Sequence, residues 1–304
     1  MALLQNCAHL RAPFFAILVL GLAGKSALAA QEVVGVTEIA PNLLVFATAT
    51  GNVVASVGPA GAVLVGTPSA ASTPQISSIL AGRTKSPVRY VVIAPQNPAH
   101  SEGDAGWGRL GAFVAMQEKA LERLGGHTMG APPPLPRRLV ELGVDRPRVA
   151  FSEVLTFDLN GEAIHVVHQP PAYSDADSIV HFHVAHLVYL GEVFPGDGYP
   201  EIDRQQGGKL DGVIRMLGAW TNNAFRVVPA RGKVANGADV KTVHDMIVTV
   251  RDRVQRMIDA GRTENDILAE HPAAEFDARW GHGRVTSDEF VREIYSSIRA
   301  PQGG

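Results

Sequence analysis

The chain has 304 residues, 46% of them hydrophobic and 19% charged, with a formal net charge of −3. That is enough apolar matter for a full core, and the mildly acidic balance without a basic run makes the chain a weak candidate for binding nucleic acid or an anionic membrane. The single cysteine, Cys7, precedes an apolar run near the N-terminus. A disulfide framework, a thiolate metal site and a cysteine nucleophile are therefore excluded from everything after that run.

In chain order, Arg11 is followed by an apolar stretch over 14–23 and by small residues over 26–30, where Ala27-Leu28-Ala29 fits a cleavage pattern. This reads as a secretory signal. The apolar stretch is shorter than the ~20 residues a membrane span needs. The expectation is an exported protein, periplasmic or secreted, with residues 1–30 as signal, 31–304 as one domain and no stable membrane insertion.

Short apolar runs at 43–48, 53–57 and 62–65, separated by Gly and Asn, predict an antiparallel meander. Thr73 can cap a helix to about Ala81, and a β-branched strand follows at 88–94. The spacing over 112–124 predicts a helix stopped by Gly125-Gly126. Four prolines in 131–136 predict a surface loop. A second β block then begins: 154–158 turns at Asn160-Gly161 into 163–168, a strong hairpin signal. Strands at 179–183 and 187–190, a helix at 210–220, a short strand at 226–228 and helices at 240–260 and 287–298 complete the chain. The order is β-rich, helix, strand, helix, repeated. Two such halves packed sheet to sheet with helices outside give an α/β fold, an αββα four-layer sandwich.

The stretch VVIAPQNPAHSEGD, 91–104, carries a buried strand into a Pro/Asn/Gly-rich loop at a sheet edge, where α/β proteins place their chemistry. It resembles the metallo-β-lactamase fold, in which this loop reads His-x-His-x-Asp-His and supplies most ligands of two metal ions. Here the six positions are Pro95, Gln96, Asn97, Pro98, Ala99 and His100, and only the last ligand is kept. Further segments resemble that family in its order. GAVLVGTP (61–68) has Gly66 where the family has Asp. PAYSDADSIVHF (171–182) has Tyr173 at a histidine position and keeps Asp175 and Asp177. LVYLGEVF (187–194) has Glu192 in place of the metal-bridging Asp. VPARG (228–232) has Arg231 at the last histidine. The segments 198–212 and 277–295 also look like a branch of this superfamily.

The resemblance implies zinc, but the residues imply its loss. A zinc ion needs three or four imidazole, carboxylate or thiolate ligands. Pro95 and Ala99 offer none, Asn97 offers a neutral amide, Tyr173 could bind only as a phenolate, and Arg231 brings a permanent positive charge. His100 and Glu192 remain as residual candidates. We expect no metal cofactor, with Arg231 reaching Glu192, or Asp175 in its place, and Tyr173 and Asn97 filling part of the vacated volume. Trp107 and Tyr199 are expected to flank the pocket, stacking on a ligand or packing its rim. Asp175 and Asp177 read as satisfying turn backbone, and His181, His183 and His186 as a packed or solvated strand face. Two functions follow. One is a non-catalytic binding protein for a small-molecule or protein ligand. The other is a divergent hydrolase acting with one metal or none, with His100 and Glu192 as acid–base pair and Tyr173 or Arg231 stabilising an oxyanion.

Overall fold

The two β blocks form two separate sheets. In the computed structural model, residues 34–66, 69–93, 106–108, 110–123, 148–222 and 224–300 are described, all within a unit spanning Gln31–Gly304. The leader, the loop holding Pro95, Asn97, Ala99 and His100, and the proline-rich stretch 131–136 lie outside the described residues.

In the first sheet, β1 (Gly35–Ala40), β2 (Leu43–Thr48), β3 (Gly51–Gly58) and β4 (Gly61–Val65) are antiparallel. β5 (Val88–Val92), β6 (Phe113–Gln117) and β7 (Arg148–Phe151) continue it parallel to β4, giving seven strands in sequence order. In the second sheet, β8 (Val154–Leu159), β9 (Glu162–His168), β10 (Ser178–Phe182) and β11 (Leu187–Gly191) are antiparallel. β12 (Arg226–Pro229) runs parallel to β11, and the two-residue β13 (Ala235–Asn236) closes that edge.

Side chains alternate across each strand, as the period of two requires. Val54, Val63 and Val65 of the first sheet meet Ile164, Val180, Leu187 and Tyr189 of the second in the central core. Their neighbours Val53, Ala55 and Leu64 face outward onto Ile76 and Leu80 of α1 (Thr73–Ala81). On the second sheet, Ile179, Val188, Leu190 and Val227 face the outer helices. Among the described residues, α2 (Glu118–Arg123) follows β6 directly. The outer layer of the second sheet is α3 (Leu210–Ala219), α4 (Gly237–Asp259), α5 (Glu264–Ala269), α6 (Asp277–Trp280) and α7 (Ser287–Arg299). Val240, Val243, Ile247, Val250 and Val254 line one face of α4 at helical spacing. Capping boxes at Asn236/Asp239 and Thr286/Glu289 start α4 and α7, each cap contributing about 1 kcal/mol. The layers are helix, sheet, sheet, helix, as the sequence predicts.

One predicted element is corrected. Residues 112–124 are not a continuous helix: Phe113–Gln117 is β6, and only Glu118–Arg123 is helical. Val114, Ala115 and Met116 are all buried: β5 and β7 pair with the edges of the segment, the central core covers Ala115, and Ile93, Ala120 and Leu121 cover Val114 and Met116. That burial outweighs the helix propensity of Ala, Met and Gln. β1, β7, β13, α5 and α6 have no counterpart among the predicted elements.

The parallel pairs place several carboxyl ends at one edge. β11 and β12 end side by side, and the start of β3 lies beside the end of β4. The Asn52 N–H donates to the Ala230 carbonyl at 2.7 Å, joining the two sheets there. Open α/β sheets bind their ligands at such carboxyl ends.

Candidate functional site

Glu192 follows the last residue of β11, and Arg231 lies two residues beyond β12. Their loops are knitted together by backbone. The Ala230 N–H donates to the carbonyls of Gly191 and Phe194, both at 3.1 Å, and the Arg231 N–H donates to Pro195 at 3.2 Å. Gly196 sits at φ +82, where a Cβ would strike the Arg231 carbonyl, so only glycine lets the two loops approach. From the other sheet, the buried Asn52 amide donates to the carbonyls of Pro229 at 3.0 Å and Gly232 at 2.9 Å. The segment bearing Arg231 is thus held from both sheets.

This frame brings Arg231 onto Glu192 in a fork. Nη1 donates to Oε1 at 2.9 Å and Nη2 to Oε2 at 2.7 Å. The Glu192 side chain is 6% exposed and that of Arg231 17%. Burial works against the Arg231 charge, but the bonds and charge of Glu192, helped by Asp197, outweigh it and hold the guanidinium above its usual pKa. Arg284 adds a second cation. Its Nη2 lies 3.4 Å from Glu192 Oε2 and 2.9 Å from Glu201 Oε2. The hollow these groups line, with Pro195, Asp197 and Tyr199, has a free volume of about 10 Å³. A single water needs roughly 10–15 Å³.

The other candidates divide between this hollow and elsewhere. Tyr173 is buried, and its phenol is pushed well above the ordinary range by burial, then by the charges of Glu201, Glu192 and Asp203. Tyr199 lines the hollow but is buried. Its hydroxyl donates to Asp277 Oδ1 at 2.7 Å, and its ring stacks on Phe290 with centroids 4.8 Å apart. It packs the wall rather than presenting a free face. Trp107 is placed differently from the expectation: it is in the outer core with Phe46, Leu64 and Ile76. Asp175 is not the partner of Arg231, because it pairs with Arg123 and, at 3.5 Å, with Lys119. Asp177 is a turn acceptor, taking the N–H of Ala172 at 3.2 Å, the N–H of Ser174 at 3.1 Å and the Ser174 hydroxyl at 2.8 Å. His100 and Asn97 lie outside the described residues. Sequence reasoning missed Arg284, Glu201 and Asn52. The first two fall in the segments 277–295 and 198–212 noted for their resemblance, but nothing local to either marks the long-range pairing.

A zinc ion does not fit the described donors. Glu192 has both oxygens engaged by arginines, the Tyr173 hydroxyl is held in its protonated form, and Arg231 and Arg284 would repel a dication at close range. Gly66, at the family's Asp position, has φ +105, and a Cβ there would lie 2.5 Å from the Asn52 carbonyl oxygen.

No protein-family model matches the sequence, and no curated protein matches it. Solved structures do. A metallo-beta-lactamase from Pontibacter korlensis aligns at 15% identity and TM-score 0.54, over 71% of this chain and 99% of its own. One from Hirschia baltica aligns at 15% identity and TM-score 0.52, over 70% and 97%. The stereoselective inverting sec-alkylsulfatase from Pseudomonas sp. aligns at 13% identity and TM-score 0.61, over 88% of this chain but only 50% of its own, so the present chain spans about half that protein. With two mixed sheets packed face to face between helical layers, the chain has the metallo-β-lactamase fold.

Proposed function

We propose that this protein is a non-catalytic binding protein on a metallo-β-lactamase scaffold, exported after loss of residues 1–30, with no resident zinc. Its ligand is a small molecule or a protein. The observation that carries this reading is the bidentate contact of Arg231 with Glu192. The resemblance aligns these positions with a metal-binding histidine and the metal-bridging aspartate. In this chain a permanently charged guanidinium and a carboxylate satisfy each other instead. A metal-centred hydrolase relies on its ions to generate the nucleophile, and the charges of Arg231 and Arg284 beside Glu192 speak against one here. The Ala27-Leu28-Ala29 pattern supports export.

The test is a hydrolysis screen on untagged full chain. It covers β-lactams, lactones, thioesters, phosphodiesters and sec-alkyl sulfates, with and without added zinc. The expected result is no turnover above buffer. Turnover abolished by Glu192→Gln would overturn the proposal in favour of a divergent hydrolase working with one metal or none.

A further inference from the structure

Apart from the Glu192 hollow, the second sheet carries a cluster of histidines on its helix-facing side. His165 of β9 and His181 of β10 are direct cross-strand partners, and His183 follows β10 by one residue on the same face as His181. The His183 ring lies 4.0 Å from that of His181 and 4.2 Å from that of His165, centroid to centroid. His183 Nε2 is 3.0 Å from His165 Nδ1.

We propose that His165 and His183 form a chelating site for a late transition-metal dication, with copper(II) its strongest occupant. Two nitrogen ligands about 2.0–2.1 Å from one ion, at angles of about 90–110°, stand about 2.8–3.4 Å apart. The observed 3.0 Å falls in that interval. Without metal, one ring nitrogen donates its hydrogen to the other. On binding, that hydrogen moves to the remote nitrogen of the same ring and both rings turn so that the two lone pairs converge on the ion; no net proton is released. Imidazole suits zinc, nickel and copper, and copper(II) stands highest in the general order of affinity.

Two features make this a built arrangement rather than a chance meeting of side chains. First, the turn carrying His183 is fixed by Glu162, a buried carboxylate that accepts the Val184 N–H at 2.7 Å and the Ala185 N–H at 3.1 Å. The His183 N–H also donates to the Ala163 carbonyl at 3.1 Å. Second, the His181 Nε2 is buried without a hydrogen-bond partner, and its ring packs edge-on against Trp220 and Phe225. The cluster is thus dry on one side and open on the other, where His183 is exposed. Among the described residues no three His, Cys, Asp or Glu side chains are grouped to hold an ion. The pair therefore supplies two ligands, and solvent or an exogenous donor fills the remaining positions.

The test is copper(II) titration of untagged full chain, followed by calorimetry and electron paramagnetic resonance, with wild type, His165→Ala, His183→Ala and the surface control His271→Ala. Circular dichroism checks folding, and because His183 is exposed its variant retains the fold. The expected result is about one equivalent of copper with a two-imidazole nitrogen signature. Both His165→Ala and His183→Ala lose it, and His271→Ala keeps it. Glu162→Gln, which loosens the turn, should weaken binding by about 10–100-fold, as for other groups that orient metal ligands. Copper binding unchanged in both histidine variants, or no saturable binding by wild type, would overturn the site.

Discussion

Arg231 and Glu192 meet through two parallel N–H···O contacts of 2.9 and 2.7 Å, with both side chains largely buried. Each half of the pair depends on the other, because a buried charge without its partner is far more costly than no charge at all. Arg231→Ala should therefore destabilise the protein by about 3 kcal/mol, at the low end for a stranded buried carboxylate because Arg284 stands 3.4 Å from the same oxygen. The double substitution Arg231→Ala/Glu192→Ala should cost less than Arg231→Ala alone. Urea denaturation of the four members of this cycle measures both quantities. A double variant less stable than Arg231→Ala contradicts the pairing.

Gly66 stands where the resemblance places an aspartate, and its backbone closes the position to that side chain. With φ at +105 and the Asn52 carbonyl 2.5 Å from any Cβ, an aspartate there meets both backbone strain and a clash. Gly66→Asp should lower stability by more than about 2 kcal/mol and should not create zinc affinity. A thermal melt and a zinc titration of that variant check both halves.

Asn52 bridges the sheets to the Arg231 segment through two side-chain bonds. Asn52→Ala leaves the Pro229 and Gly232 carbonyls without those donors, at a cost of about 1–3 kcal/mol. Hydrogen exchange should show faster exchange of the Ala230 and Arg231 amides in the variant, with protection elsewhere little changed.

Stability should respond to pH through two groups of opposite sign. Burial lifts the Asp177 pKa from 3.8 to about 6, against the opposing hydrogen bonds from Ser174 and the Tyr173 and Ala172 backbone. Its folded form holds the proton more tightly, so that contribution is full below about pH 4 and is lost as pH rises through about 6. His181 moves the other way, from 6.5 to about 4. Its contribution is present above pH 6.5 and is lost as pH falls through about 4. The two oppose each other between pH 4 and 6.5. His181→Phe removes the His181 contribution and leaves that of Asp177, so urea midpoints should rise on acidification from pH 7 to 4.5 more than in wild type. Midpoints that fall more steeply than wild type contradict the assignment.

Much of the scaffold was legible in the sequence because it is written locally. The Asn160-Gly161 turn falls where both residues have positive φ, at 57 and 74, and the alternating valines of β3 and β4 sort cleanly between two cores. The strand at 113–117 was not legible, since helix-forming residues inside a sheet are decided by neighbours distant in sequence. Glu192 and Arg231 could be placed through a resemblance in segment order, and their carboxyl-end positions on parallel strands explain why they meet. Arg284, 92 residues from Glu192, and Asn52, 177 residues from Pro229, carry no such marker. The pairing of His165 with His183 was likewise hidden, because it depends on the register of β9 against β10.

The central claim is that an ion pair stands where the fold's metal would be. The most direct measurement is zinc titration by calorimetry on the untagged chain carrying His165→Ala and His183→Ala, which removes the separate histidine site. The expected result is no saturable zinc binding, and no change on adding Glu192→Gln. Tight zinc binding that Glu192→Gln abolishes would contradict it.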